Sequence, residues 1–534
     1  MYILGINGNV LAASQDPSAT LIKDNKIIAA AEEERFNRDK HSKGEMPIRA
    51  IKYCLKQAGI TIHNIDFLTY YTDTYLNIKE RLTKIFEFHF GHCPKIVLVD
   101  HHLSHAASSY YASGFNDAIV ITTDVSGDGI STKIYEGKGN KLHCIKYFQK
   151  PNSLGIFYSL ITQFLGFEFG NQEYVVMGLS SYGKPTIDMS HLLSITEDGY
   201  SFNTKIYDNQ LTPGLFYKTR QERQYTDVMS QILGKPRLKD EEVTKRHMDI
   251  AKSAQVQLEN AALSLLRYAK KHIQSDNLCL AGGVALNCVM NSRLAESGLV
   301  KNVYVPPAAS DSGTSLGSAL KCAVDNGFEF KGPLSPYLGP EFTNKEIKDD
   351  FELLKINYTK VNPIKYVSER LPEGDIIGLF QGKMEFGARA LGNRSIIADP
   401  RNPEMKDKLN KFIKYREEFR PFAPSTLMNE SQAYFKNLFP SPYMTFVFDV
   451  LKKNIPAVTH VDKTARVQTV EERQNPLYYK IIKSFENVTD VPLILNTSLN
   501  VKGQPIVCNI KDAITTFYGS GMDSMIIGEF LLEK

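Results

Sequence analysis

Residues 118–129 read AIVITTDVSGDG, an almost unbroken β-branched run that closes on Asp124 and then on a Gly-Asp-Gly turn. Such a run predicts a strand that delivers its polar residues at its C-terminal end and reverses in a tight hairpin at Gly127 and Gly129. The pattern recurs in both directions along the chain. IDFLTYYT (65–72) and KIVLVDHH (95–102) precede it, and LCLAGGVALNCVMN (278–291) and VYVPPAAS (303–310) follow it. At the start, YILGINGNV (2–10) and SATLIKDNKIIAAAEEER (18–35) predict β-runs with a turn at Asp24-Asn25. MPIRAIKYCLKQAGI (46–60) predicts an amphipathic helix ended by Gly59. Strands alternating with helices argue for an α/β fold with its site along strand ends.

The Pro/Gly-rich connector KGPLSPYLGPEF (331–342) breaks this alternation, after which a helix (NKEIKDDFELLK) and a strand (GDIIGLFQGK) restart it. The expected boundary is near residue 345, giving domains 1–345 and 346–534. A length of 534 residues with 43% hydrophobic and 23% charged content fits two or more globular domains. The 63 basic and 59 acidic residues leave a net charge of +4, which gives no support to nucleic acid or a membrane surface as partner. Seven singly spaced Cys predict neither a disulfide framework nor a thiolate zinc site. The N-terminus lacks a signal-peptide pattern and no apolar run nears the ~20 residues of a membrane span, so a cytoplasmic location is expected.

DHHLSHAASSYY (100–111) places His101 and His105 at i and i+4, where two imidazoles on one helix face can share an ion; His102 lies off that face. Asp124 joins them as a strand-end carboxylate. So does Asp311 in PPAASDSGTSLGSA, read as ending a strand before small residues open a helix. Gly127, Gly129, Gly282 and Gly283, with Asn287 a turn later, are candidates to cradle phosphate through backbone N–H groups. A two-His, two-Asp set suits iron(II), manganese or zinc. In the second domain, residues 381–425 are rich in Lys and Arg. Arg389 (GARALGNRS) and Arg420 (FRPFAPS) stand among small, apolar and Pro residues that suggest a buried pocket for phosphate oxygens.

Together, GINGNVLAASQDPSATLIKDNKIIAAAEEERFNRDKH, VDHHLSHAASSYYASGF, TTDVSGDG, VVMGLSSYG, LAGGVALN, QGKMEFGARALGNRSIIADPR, FRPFAPS, TARVQTV and LILNTSLN resemble the O-carbamoyltransferase family of the NodU type, which includes the tobramycin and cephem carbamoyltransferases. The resemblance implies an N-terminal domain of the actin-like ATPase superfold (ASKHA) and a YrdC-like α/β C-terminal domain. It implies that carbamoyl phosphate and ATP, with Mg2+, give carbamoyl-adenylate, whose carbamoyl group passes to a hydroxyl beside iron(II) held by His101, His105, Asp124 and Asp311. It assigns Arg389, Lys414, Arg420, Arg466, Asn496 and Ser498 to carbamoyl phosphate or ATP. The implied partners are carbamoyl phosphate, ATP and a hydroxyl-bearing small molecule or saccharide, and a homodimer is an admissible assembly.

Two positions depart from the family. Gln15-Asp16 stands where relatives carry His-Asp, and a Gln amide cannot take up the hydroxyl proton near neutral pH. Gln15 is therefore expected to orient the acceptor while Asp16, a phosphate oxygen or a metal-activated hydroxyl handles the proton. Lys40 matches a family position near the acceptor, and Val176 stands where relatives commonly have Lys. Competing functions are a threonylcarbamoyl-type tRNA modification enzyme, an actin-fold sugar kinase or ATPase, and a non-catalytic metal- or nucleotide-binding regulator.

Overall fold

The computed structural model describes residues 1–10, 16–74, 76–208, 222–417 and 419–534. The chain divides into one unit of Met1–Glu33 with Ser42–Leu334 and another of Glu34–His41 with Ser335–Lys534.

The first unit holds one topology twice. β1 (Tyr2–Asn7), β2 (Ser18–Lys23), β3 (Lys26–Glu32), β4 (Phe67–Tyr70) and β5 (Lys95–Leu98) form a sheet of order β3-β2-β1-β4-β5. β1–β2 and β2–β3 pair antiparallel, whereas β1–β4 and β4–β5 pair parallel. The second sheet takes β6 (Asp117–Gly127), β7 (Ile130–Lys138) and β8 (Lys141–Gln149). After the hairpin of β9 (Leu193–Thr196) and β10 (Gly199–Phe202), β11 (Asn277–Ala281) and β12 (Asn302–Tyr304) complete it in the order β12-β11-β6-β7-β8. Its pairing repeats the first: antiparallel across β6, β7 and β8, parallel across β6, β11 and β12. This duplicated arrangement is the actin-like one that the family resemblance implies. The parallel pairs require crossovers, which is where the helices lie. One is α1 (Ile48–Ala58), closed by Gly59 in the left-handed region as its sequence predicts.

After its fifth strand each half continues into a helix, α2 (His101–Ser113) and α3 (Ser312–Asp325). The two helices pack against each other, and their sequences are dominated by Ser, Ala and Gly along the seam. A Cβ on Gly317 would stand 1.7 Å from the Ser104 carbonyl oxygen, so only glycine permits this approach.

The second unit is built on an eight-stranded mixed sheet of order β13-β22-β21-β14-β15-β20-β16-β19. Its strands are β13 (Thr359–Lys360), β14 (Ile377–Phe380), β15 (Arg394–Ala398), β16 (Ala423–Leu427), β19 (Gln468–Val470), β20 (Leu493–Ser498), β21 (Ser524–Ile527) and β22 (Phe530–Glu533), with β17 (Val447–Asp449) and β18 (Thr464–Arg466) paired apart. The boundary falls earlier than the expected residue 345. Gly339 N bonds Met384 O, Met384 N bonds Pro340 O and Phe386 N bonds Pro336 O, which commits the connector to the second unit. The segment Glu34–His41 also belongs there: Arg38 donates to the Pro505 and Ile506 carbonyls and Arg35 to the Gly387 carbonyl.

Candidate functional site

Helix α2 begins on the first histidine. Asp100 caps it, accepting from Leu103 N at 2.7 Å, and its other oxygen meets Lys133 Nζ at 2.7 Å. Asp128 accepts from His101 N at 2.9 Å, so two carboxylates hold the helix N-terminus. With its first turn fixed, α2 presents His101 and His105 on one face, as the spacing predicts. Asp124 lies within β6 rather than at its end, where pairing with β7 breaks between Thr123 and Gly127. Asp311 also differs from its expectation. It does not end a strand, since β12 stops at Tyr304, but stands at the N-terminus of α3 without capping it.

His105 Nε2 lies 3.1 Å from Asp124 Oδ2 and 3.4 Å from Asp311 Oδ1; His101 Nε2 lies 3.7 and 3.8 Å from the same two oxygens. Four ligand atoms about 2.1 Å from a shared ion stand roughly 3.0 Å apart at right angles and about 3.4 Å apart at the tetrahedral angle, so this spacing admits a divalent cation. His101 Nε2 and Asp311 Oδ1 are buried and make no hydrogen bond among the described residues, which an ion between them would answer. The residues fit a metal.

Electrostatics agree. Burial works against charge on His105, yet Asp124 and Asp311 raise its pKa to about 9. Burial opposes ionisation of Asp124, but His101 and His105 hold it well below the usual carboxylate range. Burial and then the Asp124 charge push Asp311 up. Two part-buried carboxylates share too little positive charge, and a bound cation would relieve both. Burial and then His101 and His105 lower His102 to about 3, so it is neutral.

Of the glycines read as a phosphate cradle, Gly129 and Asp128 have φ of 77° and 51° and form the two-residue hairpin turn between β6 and β7. Gly127 stands against the first imidazole. A Cβ there would lie 2.0 Å from His101 Cδ2, so it makes room for the imidazole. At Gly282 a Cβ would strike the Thr123 carbonyl oxygen at 2.2 Å, and Gly283 N donates to Asp124 Oδ2 at 3.3 Å. Asn287 is a helix cap. Its Oδ1 accepts from Met290 N and its amide pairs with that of Gln255, which commits the group expected to meet adenylate.

Asp16 comes close to the metal set. Asn7 Nδ2 donates to the carbonyls of both Asp16 and Asp311, and Ser310 Oγ approaches Asp16 Oδ2 at 3.4 Å. Gln15 lies outside the described residues. Lys40 belongs to the segment grouped with the second unit. Val176 is a fully buried core residue.

In the second unit, Lys414 Nζ donates to the carbonyls of Ser498 and Asn500 and to Asn500 Oδ1, a closed clamp that brings Lys414 and Ser498 together. Asn496 Nδ2 reaches Ala390 O, Ser425 Oγ and Gln468 Oε1. Arg389, Arg420 and Arg466 are half-buried rather than enclosed, and Arg420 lies 3.6 Å from Glu417. The fully buried arginine is Arg394, stacked over Phe380 and donating to the Gln381 and Pro340 carbonyls. Glu385 is also buried, and its Oε1 accepts from Leu391, Asn393 and Arg394 N–H groups, closing the loop that carries Arg389.

Sequence reading missed Asn7, Asp100 and Asp128, which orient the ligand-bearing segments. The carboxylate immediately before the His pair was a visible cap signal; the reach of Asp128 back to His101 had none.

Two family profiles match the chain: "Carbamoyltransferase N-terminus" over residues 3–90 and 71–320, and "Carbamoyltransferase C-terminus" over residues 368–534. Among relatives, the uncharacterized protein sll1178 of Synechocystis sp. is 37% identical, spanning 100% of this chain and 97% of its own length. Nodulation protein NolNO of Sinorhizobium fredii is 35% identical (97% and 79%), and nodulation protein NolO of Bradyrhizobium diazoefficiens is 36% identical (82% and 79%). Fold likenesses of low score include component A of the Acidaminococcus fermentans (R)-2-hydroxyglutaryl-CoA dehydratase, at 17% identity, TM-score 0.34, and 61% and 98% coverage of the two chains. T. kodakarensis HypF follows at 14% identity, TM-score 0.33, and 61% and 47% coverage. With both profiles matched in order and relatives aligned over most of its length, the chain belongs to the carbamoyltransferase family and is an enzyme of that family.

Proposed function

We propose that this carbamoyltransferase works in two stages, one in each unit. In the second, acting as a YrdC-like domain, water releases phosphate from carbamoyl phosphate. A carbamate oxygen then attacks the α-phosphorus of ATP, and pyrophosphate leaves. Carbamoyl phosphate, ATP and water thus give carbamoyl-adenylate, phosphate and pyrophosphate. Arg389, Arg420 and Arg466 grip phosphate oxygens, and the Lys414–Ser498–Asn500 clamp shapes the pocket floor. The carbamoyl NH2 needs acceptors, and Asn496 Oδ1 and Glu385 Oε2 are buried oxygens that accept no hydrogen bond.

In the first unit a hydroxyl of a natural product or glycan attacks the carbamoyl carbon, the bond from that carbon to the phosphate oxygen breaks, and AMP leaves. The observation that carries this stage is the convergence of His101, His105, Asp124 and Asp311 within one ion's reach. These four residues would hold a divalent ion, iron(II) in this reading, which would supply electrostatic stabilisation for negative charge on carbonyl and phosphate oxygens. Gln15 orients the acceptor, and Asp16, tied by Asn7 to the Asp311 backbone, takes the hydroxyl proton.

The test measures pyrophosphate release from ATP by the purified full chain. Release that requires carbamoyl phosphate and disappears in Arg389→Ala supports the reading. ADP formation independent of carbamoyl phosphate would favour a kinase or ATPase and sink it.

A further inference from the structure

We infer that His102 is a positioning residue for the metal centre, fastening the helix that carries His101 and His105 to the strand that carries Asp124. The inference rests on the proposed metal-binding role of those residues. His102 sits between two of them in sequence yet faces away, fully buried. Its Nε2 lies 3.0 Å from the Ile130 carbonyl oxygen and its Nδ1 lies 2.8 Å from Thr122 Oγ1. A carbonyl can only accept, so the ring proton is on Nε2, and Nδ1 accepts from the Thr122 hydroxyl. Both nitrogens are used, and the tautomer is fixed by the partners.

The placement of those partners gives the ring its leverage. Thr122 is on β6 just before Asp124, and Ile130 opens β7 just after the hairpin. Between them the β6–β7 ladder is interrupted from Thr123 to Gly127, so Asp124 lacks the regular pairing that would fix a strand residue. The imidazole spans this break, holding both of its ends to α2. Asp100 and Asp128 fix the backbone N–H groups of the first turn, whereas His102, in the same turn, ties the helix across to β6 and β7. His102 supplies the restraint that sets the spacing between the imidazoles on α2 and the Asp124 carboxylate. Outer residues of this kind commonly govern metal affinity through ligand placement.

The test titrates metal-stripped full-length protein with cobalt(II), reading affinity by chelator competition and ligand geometry by the visible absorption bands. Thr122→Val, nearly the same shape, removes one of the two His102 hydrogen bonds together with the longer 3.4 Å contact from Thr122 Oγ1 to the Lys133 carbonyl; His102→Leu removes both bonds of the ring. Cobalt affinity is expected to fall about tenfold in Thr122→Val and by about 10- to 100-fold in His102→Leu, with altered bands. Metal-stripped Thr122→Val should unfold within a few degrees of wild type, and it decides the matter should His102→Leu fail to fold. Wild-type affinity and bands in Thr122→Val would overturn the inference alone. A wild type that binds no cobalt would overturn the metal reading with it.

Discussion

Gly317→Ala sets two effects against each other. Inside a helix, alanine is intrinsically favoured over glycine by about 1 kcal/mol. Here the new Cβ would stand 1.7 Å from Ser104 O, 2.7 Å from Ser104 C and 2.9 Å from Ser108 N, all backbone atoms that cannot rotate aside. Relief requires α2 and α3 to separate by roughly 1.5 Å, and overpacking typically costs about 1–3 kcal/mol, more where backbone must move. Overpacking wins, with a net loss of about 2 kcal/mol or more. For a domain of this size that corresponds to about 3 °C in the Tm of the first unit. The same shift displaces the imidazoles on α2 from Asp311 at the head of α3, so divalent-metal affinity should fall about tenfold. Thermal unfolding with and without cobalt(II) reads both. A variant that melts as wild type or higher and binds cobalt normally would refute the close-packed seam as what holds the ligands together.

Stability of the metal-stripped protein should depend on pH through His105. Its folded value of about 9 lies above the ordinary 6.5, so its contribution is complete below about pH 6.5 and is lost as pH rises through 9. Urea unfolding at stepped pH should show this slope, and saturating metal should flatten it. Arg394→Lys should destabilise the second unit by about 3 kcal/mol, because an ammonium cannot fork to the Gln381 and Pro340 carbonyls that the buried guanidinium serves. Cobalt binding by the first unit should be unchanged; a stable variant would show that Arg394 is no structural pin.

What the sequence disclosed and what it hid divide along the reach of each interaction. The strand and helix alternation, the Gly59 cap and the His101/His105 face are local, set by periodicity and turn chemistry. Asp124 and Asp311 were legible as ligand types, but their settings were not. A break in strand pairing exposes one, and a helix start rather than a strand end presents the other. The clearance that Gly127 gives the His101 ring was hidden because a glycine reads the same whether it frees backbone N–H groups or clears space for a side chain. The capping role of Asn287 was hidden because helix caps and binding residues draw on the same polar types. In the second domain Arg394 is the arginine that is fully buried and forked to the Gln381 and Pro340 carbonyls, and carbonyl partners brought in by folding leave no local signature.

The division of labour between the two units is tested most directly in Asp311→Asn. Supplied with ATP, radiolabelled carbamoyl phosphate and a panel of saccharide and natural-product hydroxyl acceptors, the variant should still release pyrophosphate in a carbamoyl-phosphate-dependent way. It should place no label on any acceptor that the wild type modifies. Label transfer at the wild-type rate would contradict the account, as would loss of pyrophosphate release in a variant that remains folded.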